Sequence, residues 1–357
     1  VTSLQLSPVE VDAGRTRPAL APLRFVADGL VAAAILTAAL ALGAAVGETS
    51  IPVETVAKTV ANRLWSAGYA LDPIDEGIVW NYRIARALVA ACCGASLALG
   101  GVVLQSVLRN ALADPYILGI SAGASSGAVA VAILGLGSGF VSLSLGAFAG
   151  ALLAFGLVAL LALGAGRGPA AIILAGIAGS QLFNALTSLI VTKSATADQA
   201  RGIMFWLLGN LSGVRWPDVS LAVPVALGGL LICLLHARAL DAFAFGSRSA
   251  ASLGVPVKRV YAVLIAACAF MTATMVSIVG SIGFVGLVIP HAARLIVGVR
   301  HGRLLPASAL IGATFMIAAD VLSRTVIPGQ VLPIGVMTAL VGAPAFALIL
   351  IHRPVAR

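Results

Sequence analysis

An all-helical integral membrane protein with about ten crossings is what this sequence predicts, and three observations carry that prediction. Of 357 residues, 60% are hydrophobic and only 10% are charged, whereas a soluble domain carries about a quarter charged residues. The mean hydropathy of +1.08 means more apolar surface than a folded core can hide, so lipid has to cover the remainder. The apolar runs are long and unbroken rather than alternating with period two. Backbone groups deprived of water must pair within their own segment or within a closed barrel, and long runs select the helix.

Runs of roughly 20 apolar residues, the length that crosses the hydrocarbon layer, fall near 27–46, 82–107, 115–135, 141–165, 170–192, 218–237, 259–279, 281–298, 305–326 and 332–351. The third and eighth are interrupted by Gly and Pro. Residues 198–210 begin too polar to span and are expected to form a short surface helix. Residues 1–26 contain Pro8, Pro18 and Pro22 and lack a small-residue cleavage site after an apolar stretch, so they read as a cytoplasmic tail. That leaves 27–357 as one transmembrane domain. The 39 glycines suit helices that associate in lipid by close backbone packing at small residues. Cys92, Cys93, Cys233 and Cys268 lie inside apolar runs and form no CxxC pair, so they read as small packing residues.

The net charge of +9 does not point to nucleic acid, because the basic residues are scattered between apolar runs and form no stripe. They read as topology signals. With the N-terminus inside, the inner segments hold most of the 22 basic residues, which places both termini in the cytoplasm. Lys58, Arg63, Arg83, Arg86, Lys193, Arg201, Arg215 and Arg324 fall outside, more than topology alone requires. An internal echo is also visible: Arg86 precedes Pro115, and Arg259 precedes Pro290, at nearly equal spacing. Each time a long apolar helix leads into a short interrupted one. Five intervening spans would set the two units in opposite orientations, as in inverted repeats.

Several local patterns carry more specific information. Asp114-Pro115 has the chemistry of a helix start, with Pro in the first turn. Gly119, Gly123 and Gly127 then recur every four residues and leave one face smooth. Gln181, Asn184 and Ser188 follow helical spacing and share one stripe in an otherwise apolar run; such residues face a cavity or a neighbouring helix rather than lipid. Between the sixth and seventh spans, Ala250, Ala251 and Leu253 form one turn able to enter a groove, with Gly254 ending it. Asp320 stands four residues before Arg324 and is placed to pair with it. His236, His301 and His352 read as interfacial. No GxxxxGK[ST] phosphate loop, HExxH motif or His cluster occurs, so the chain is expected to be no enzyme and to hold no cofactor or metal. Nearly all of the 13 carboxylates lie in loops and at helix ends, which disfavours an ion-coupled secondary transporter.

Arg83-Ile-Ala-Arg86, Gln105, Asn110 to Gly123, Gly283 to Arg294, Ala319-Asp320 with Arg324, Leu332 to Gly335 and Gly342-Ala-Pro344 together resemble the FecCD family of importer permeases. The resemblance runs from about Arg83 to Leu350. It implies a type II ABC importer permease fold in the bacterial inner membrane, working as a homodimer. Two ATP-binding subunits, which hold the ATP and magnesium, and a periplasmic substrate-binding protein would be its partners. By resemblance, Arg83, Arg86 and Arg324 meet carboxylates of the binding protein. Gly246, Ser247, Arg248, Ala250, Ala251, Leu253 and Gly254 form the loop that couples to the ATPase, and Gln181, Asn184 and Ser188 line the path. The family's proline before the Asp-Pro pair is Ala111 here, and Ser247 and Arg248 replace an acidic residue of the coupling loop. His291 belongs to the family motif whatever the cargo, which argues against a heme-ligand role. The implied cargo is heme, a ferric siderophore or vitamin B12, with the overall likeness leaning to heme.

Overall fold

The computed structural model describes residues 21–47, 49, 51–135, 142–166, 169–194 and 196–352. The first of its helices, α1 (Ala21–Ala45), begins six residues before the expected boundary, and residues 1–20 of the expected tail lie outside the described residues. Helices α2 (Val53–Trp65) and α3 (Pro73–Ile78) occupy the stretch between the first two spans, which the sequence reading left blank. α3 continues through a π-helical turn (Val79–Ile84) into α4 (Ala85–Val107). A 3-10 turn (Pro115–Leu118) then leads into α5 (Ile120–Leu134), followed by α6 (Leu143–Gly164), α7 (Pro169–Ser194) and the short α8 (Ala197–Leu207). Beyond these come α9 (Trp216–Leu235), α10 (Ala237–Phe243), α11 (Ser247–Ser252), α12 (Val257–Val279), α13 (Val285–Val297), α14 (His301–Thr325) and α15 (Ile334–His352). Among the described residues six helical stretches are long and apolar enough to span, and four shorter apolar helices stand at the first, third, eighth and tenth expected crossings.

Helix α4 is the axis of the bundle and is buried along most of its length. It packs against α9, α12, α13 and α14. Its approach to two of these is so close that no side chain fits between the backbones. A Cβ on Gly94 would overlap the carbonyl of Gly312 on α14, and one on Gly101 would overlap the carbonyl of Gly286 on α13. In lipid, where association depends on such packing, these two contacts fix where α13 and α14 lie. The smooth face expected on the third span is real for Gly123 and Gly127, which meet Gly150 and Gly146 of α6. Gly119 extends that face, meeting Val158 of α6. It is also the left-handed hinge (φ 75°) between the 3-10 turn and α5, so Asp114 caps the turn rather than α5, its Oδ1 accepting from the Tyr116 N–H at 2.9 Å.

The two interrupted units run antiparallel. Met275 and Val279 at the end of α12 pack with the first half of α4, while Val260 and Leu264 at its start pack with the second half. Their breaks meet at the centre. Tyr116 Oη donates to Ile282 O at 2.9 Å and accepts from Ile282 N–H at 2.8 Å, and Ser121 and Ser281 share a hydrogen bond of 2.8 Å. This seam gives a role to Tyr116 and Ser121 within Asn110–Gly123 and to Ser281 just before Gly283.

Gly101→Ala tests the close approach. The added methyl meets backbone, which no rotamer change can relieve, so overpacking of about 1–3 kcal/mol outweighs the gain of at most about 1 kcal/mol in helix propensity. The variant is expected to unfold at lower temperature in detergent than the parent protein.

Candidate functional site

The sequence-predicted residues collect at three places. At one end of α4, Arg83, Arg86 and Arg324 line a cavity of about 400 Å³ together with Gly47, Thr49, Tyr82 and Ser212. Arg83 is carried by the π-helical turn, a local irregularity often found at functional sites. Its guanidinium donates to Ala44 O (3.3 Å), Ala45 O (2.8 Å) and Thr49 O. Arg324 donates to Val46 O at 3.0 Å and Gly43 O at 3.1 Å. The two arginines therefore cap the carbonyls that α1 leaves unpaired at its C-terminus. Asp320 binds the remaining charge, accepting from Arg86 Nε at 2.7 Å and from Arg324 Nη2 at 2.9 Å. Arg86 also reaches Ser212 Oγ at 3.2 Å.

The sequence reading set these guanidinium groups outward as docking forks. Here Arg83 and Arg324 are only 6% and 7% exposed and Asp320 1%, because the end of α1 folds over them and supplies their acceptors. Among the described residues, Asp320 is the carboxylate that pairs with this arginine cluster. The expected pairing of Asp320 with Arg324 is present, with Arg86 added to it. Around the cavity, Arg63 pairs with Glu76 at 2.9 Å and lies over Trp80, and the Trp80 and Trp216 rings are 4.7 Å apart. The signal for α2 was readable: Glu54 and Lys58 stand four apart and pair at 2.6 Å.

At the opposite end of α4, α10 and α11 form a folded elbow. Gly246 has φ +95° and Gly254 φ +84°, left-handed positions suited to glycine, and they bracket the single turn of α11, Gly254 closing it as expected. One detail is corrected. Ala250 is fully buried against its own chain, whereas Ser247, Arg248, Ala251 and Leu253 are exposed, so only the latter can meet a partner. Arg248 has no acidic partner among the described residues. His301, expected to be interfacial, is buried instead: its Nδ1 and backbone N–H both reach Asp241 Oδ1 at 2.7 and 2.9 Å, and its Nε2 lies 2.7 Å from Ser106 Oγ. This chain ties α10 to α14 and α4. Sequence separation of 60 and 195 residues hid it. Nearby, Arg294 Nη1 donates to Gln105 Oε1 at 2.6 Å, while Gln105 Nε2 donates to Gly286 O at 3.2 Å.

Helix α7 carries the third group. Gln181, Asn184 and Ser188 are all exposed on one stripe, whereas Thr187 turns inward and bonds Ser126 at 2.8 Å. α7 is held to the bundle at Gly176, where a Cβ would overlap Ile117 O of the 3-10 turn. Among the described residues no group of His, Cys, Asp and Glu is arranged to hold a metal ion. His291 bonds Leu287 O at 2.7 Å and meets Phe346 edge-on. The four cysteines are free, three of them buried.

The FecCD transport family matches residues 35–352, nearly the whole described chain. This chain belongs to the FecCD transport family. It is 38% identical to the cobalamin import permease of Halobacterium salinarum, over 94% of this chain and 98% of that one. It is 38% identical to the Fe(3+) dicitrate permease FecD of Escherichia coli (81% and 88%), and 34% identical to the molybdate import permease of Haemophilus influenzae (90% and 94%). A solved structure of an inward-facing metal-chelate type ABC transporter superposes with a TM-score of 0.78 at 31% identity, covering 91% of this chain and 98% of that one. The FecCD chain described here is thus a multi-pass permease of an ABC importer.

Asp320→Ala would leave Arg86 and Arg324 unneutralised in a buried place. Breaking a buried pair in this way costs about 3–5 kcal/mol, and a fall in unfolding temperature larger than that of Glu54→Ala, whose pair is exposed, is the expected measurement.

Proposed function

We propose that this permease works as a homodimer in the bacterial inner membrane with both termini cytoplasmic, moving a metal-bearing chelate inward along the interface between its two copies. Energy comes from two separate ATP-binding subunits, which hold the ATP and magnesium, and cargo comes from a periplasmic binding protein. The observation that carries this reading is the stripe of Gln181, Asn184 and Ser188 on the outward side of α7. Polar side chains on a lipid-facing surface would be costly; facing a second copy across a water-filled path, they are not. Exposed Leu253 and Ala251 on α11 suit an apolar groove in the ATPase. The opposite end, with Arg86 at its cavity, suits carboxylates of the binding protein. Arg86 is the member of that cluster least committed to α1, and Arg83 and Arg324 hold the floor beneath it.

Heme is the first cargo proposed. A corrinoid or ferric siderophore is the second, favoured by relatives named for cobalamin and Fe(3+) dicitrate. Uptake into vesicles holding the permease and its ATPase, with each cargo offered on its own binding protein, separates them. Uptake without the ATPase would overturn the energy source.

Two variants test the geometry. Asn184→Cys should react with a water-soluble thiol reagent, while Leu153→Cys on α6, exposed but expected to face lipid, should not; equal reactivity would remove the path from α7. Leu253→Asp should lower ATP-driven uptake by about tenfold, equivalent to about 1.4 kcal/mol of lost coupling, without changing the unfolding temperature, because that side chain touches little of its own chain.

A further inference from the structure

Helix α10, the last turn of α4 and the junction between α13 and α14 enclose a cavity of about 510 Å³. Three arginines, Arg109, Arg294 and Arg300, stand on its wall against one acid, Asp241. That acid is already bound to His301. Arg294 gives one N–H to Gln105, and neither Arg109 nor Arg300 has an ion-pair partner among the described residues. The cavity is therefore a concentration of guanidinium donors without enough acceptors.

Arg109 adds an independent sign. It has φ +49°, the left-handed conformation in which the Asn110 N–H closes back on Gln105 O at 3.2 Å. Glycine ends a helix this way without strain, whereas a side chain does so at a cost. The strained residue carries a charged group to the cavity, a pattern that marks functional positions. The lip has a different character: Phe245 and Val299 are 76% and 75% exposed and line the same opening.

Guanidinium groups on the wall, exposed at Arg109 and Arg300, beside an apolar lip match an amphiphile with an anionic head. Guanidinium forks match phosphate oxygens, and basic pockets between spans take anionic headgroups. We propose that this cavity binds the phosphate of an anionic phospholipid, with the acyl chains leaving past Phe245 and Val299. Free phosphate shares the head chemistry but makes no use of the lip. A single protein carboxylate leaves most of the volume and two of the arginines unmatched. The site is independent of the cargo, and Phe245 lies at the elbow of α10 and α11 proposed to meet the ATPase.

The test uses the full-length permease purified in mild detergent, with bound lipid counted by native mass spectrometry against added phosphatidylglycerol, phosphatidylcholine and inorganic phosphate. Phosphatidylglycerol should be retained in preference to phosphatidylcholine. Its affinity should fall about tenfold or more in the double variant Arg109→Gly, Arg300→Gln, and severalfold in Phe245→Ser. Because Gly relieves the strain at position 109, the single variant Arg109→Gly should unfold no lower than the parent, which separates lost binding from lost folding. Equal phosphatidylglycerol affinity in parent and double variant would overturn the site. Inorganic phosphate binding as tightly as the lipid, with no effect of Phe245→Ser, would overturn the lipid as ligand. Weakened ATPase assembly with unchanged lipid binding would assign the arginines to a protein carboxylate and overturn the proposal, leaving the importer reading intact.

Discussion

Backbone-to-backbone contact along α4 governs this molecule. In water a helix can be held by the burial of large side chains, but lipid offers no such gain. What holds α4 against α13 and α14 is that Gly94 and Gly101 let the chains touch at the carbonyls of Gly312 and Gly286. Contacts of that kind set distance and angle together. The same device recurs between α5 and α6, and again at Gly176, where α7 meets the 3-10 turn. The architecture follows from where small residues fall along rods that are otherwise interchangeable in chemistry.

Charge is distributed so that each end of the bundle has its own solution to burial. At one end, Arg83 and Arg324 are satisfied by the exposed carbonyls of α1, and Asp320 divides its two oxygens between Arg86 and Arg324. A guanidinium suits this duty because its planar fork reaches several acceptors at once and stays charged when partly desolvated. At the other end, Asp241 serves both the backbone and the ring of His301, which links the elbow of α10 to the first turn of α14 and, through Ser106, to α4. The element proposed to meet the motor is thus connected by hydrogen bonds to the central helix.

Much of this was legible beforehand. Apolar length alone located the helices that stand at the ten expected crossings, since in a membrane the backbone must be satisfied within each segment. The pairing of Asp320 with Arg324 and the turn closed by Gly254 were readable because each depends on neighbours a few residues apart. What could not be read depends on distant partners. Nothing near Arg83 announces that the end of α1 will fold over it, and nothing near His301 announces Asp241. Ala250 and Ala251 are identical in sequence terms, yet one is buried and the other exposed, because only the packing of α11 on α10 and α12 decides between them. Helix α2 is short and amphipathic, below any spanning length, so only the Glu54–Lys58 spacing marks it in the sequence.

The seam at Tyr116 carries a mechanical implication. A phenol that both gives to and takes from the backbone of Ile282, reinforced by the Ser121–Ser281 bond, fastens the two broken helices to one another midway through the molecule. Parts joined so firmly travel together. A transporter that alternates its opening between two sides must flex somewhere, and a seam held by these three hydrogen bonds resists bending there. The interrupted helices, which in many carriers are the moving joint, would in this permease be the fixed keel around which the outer rods swing.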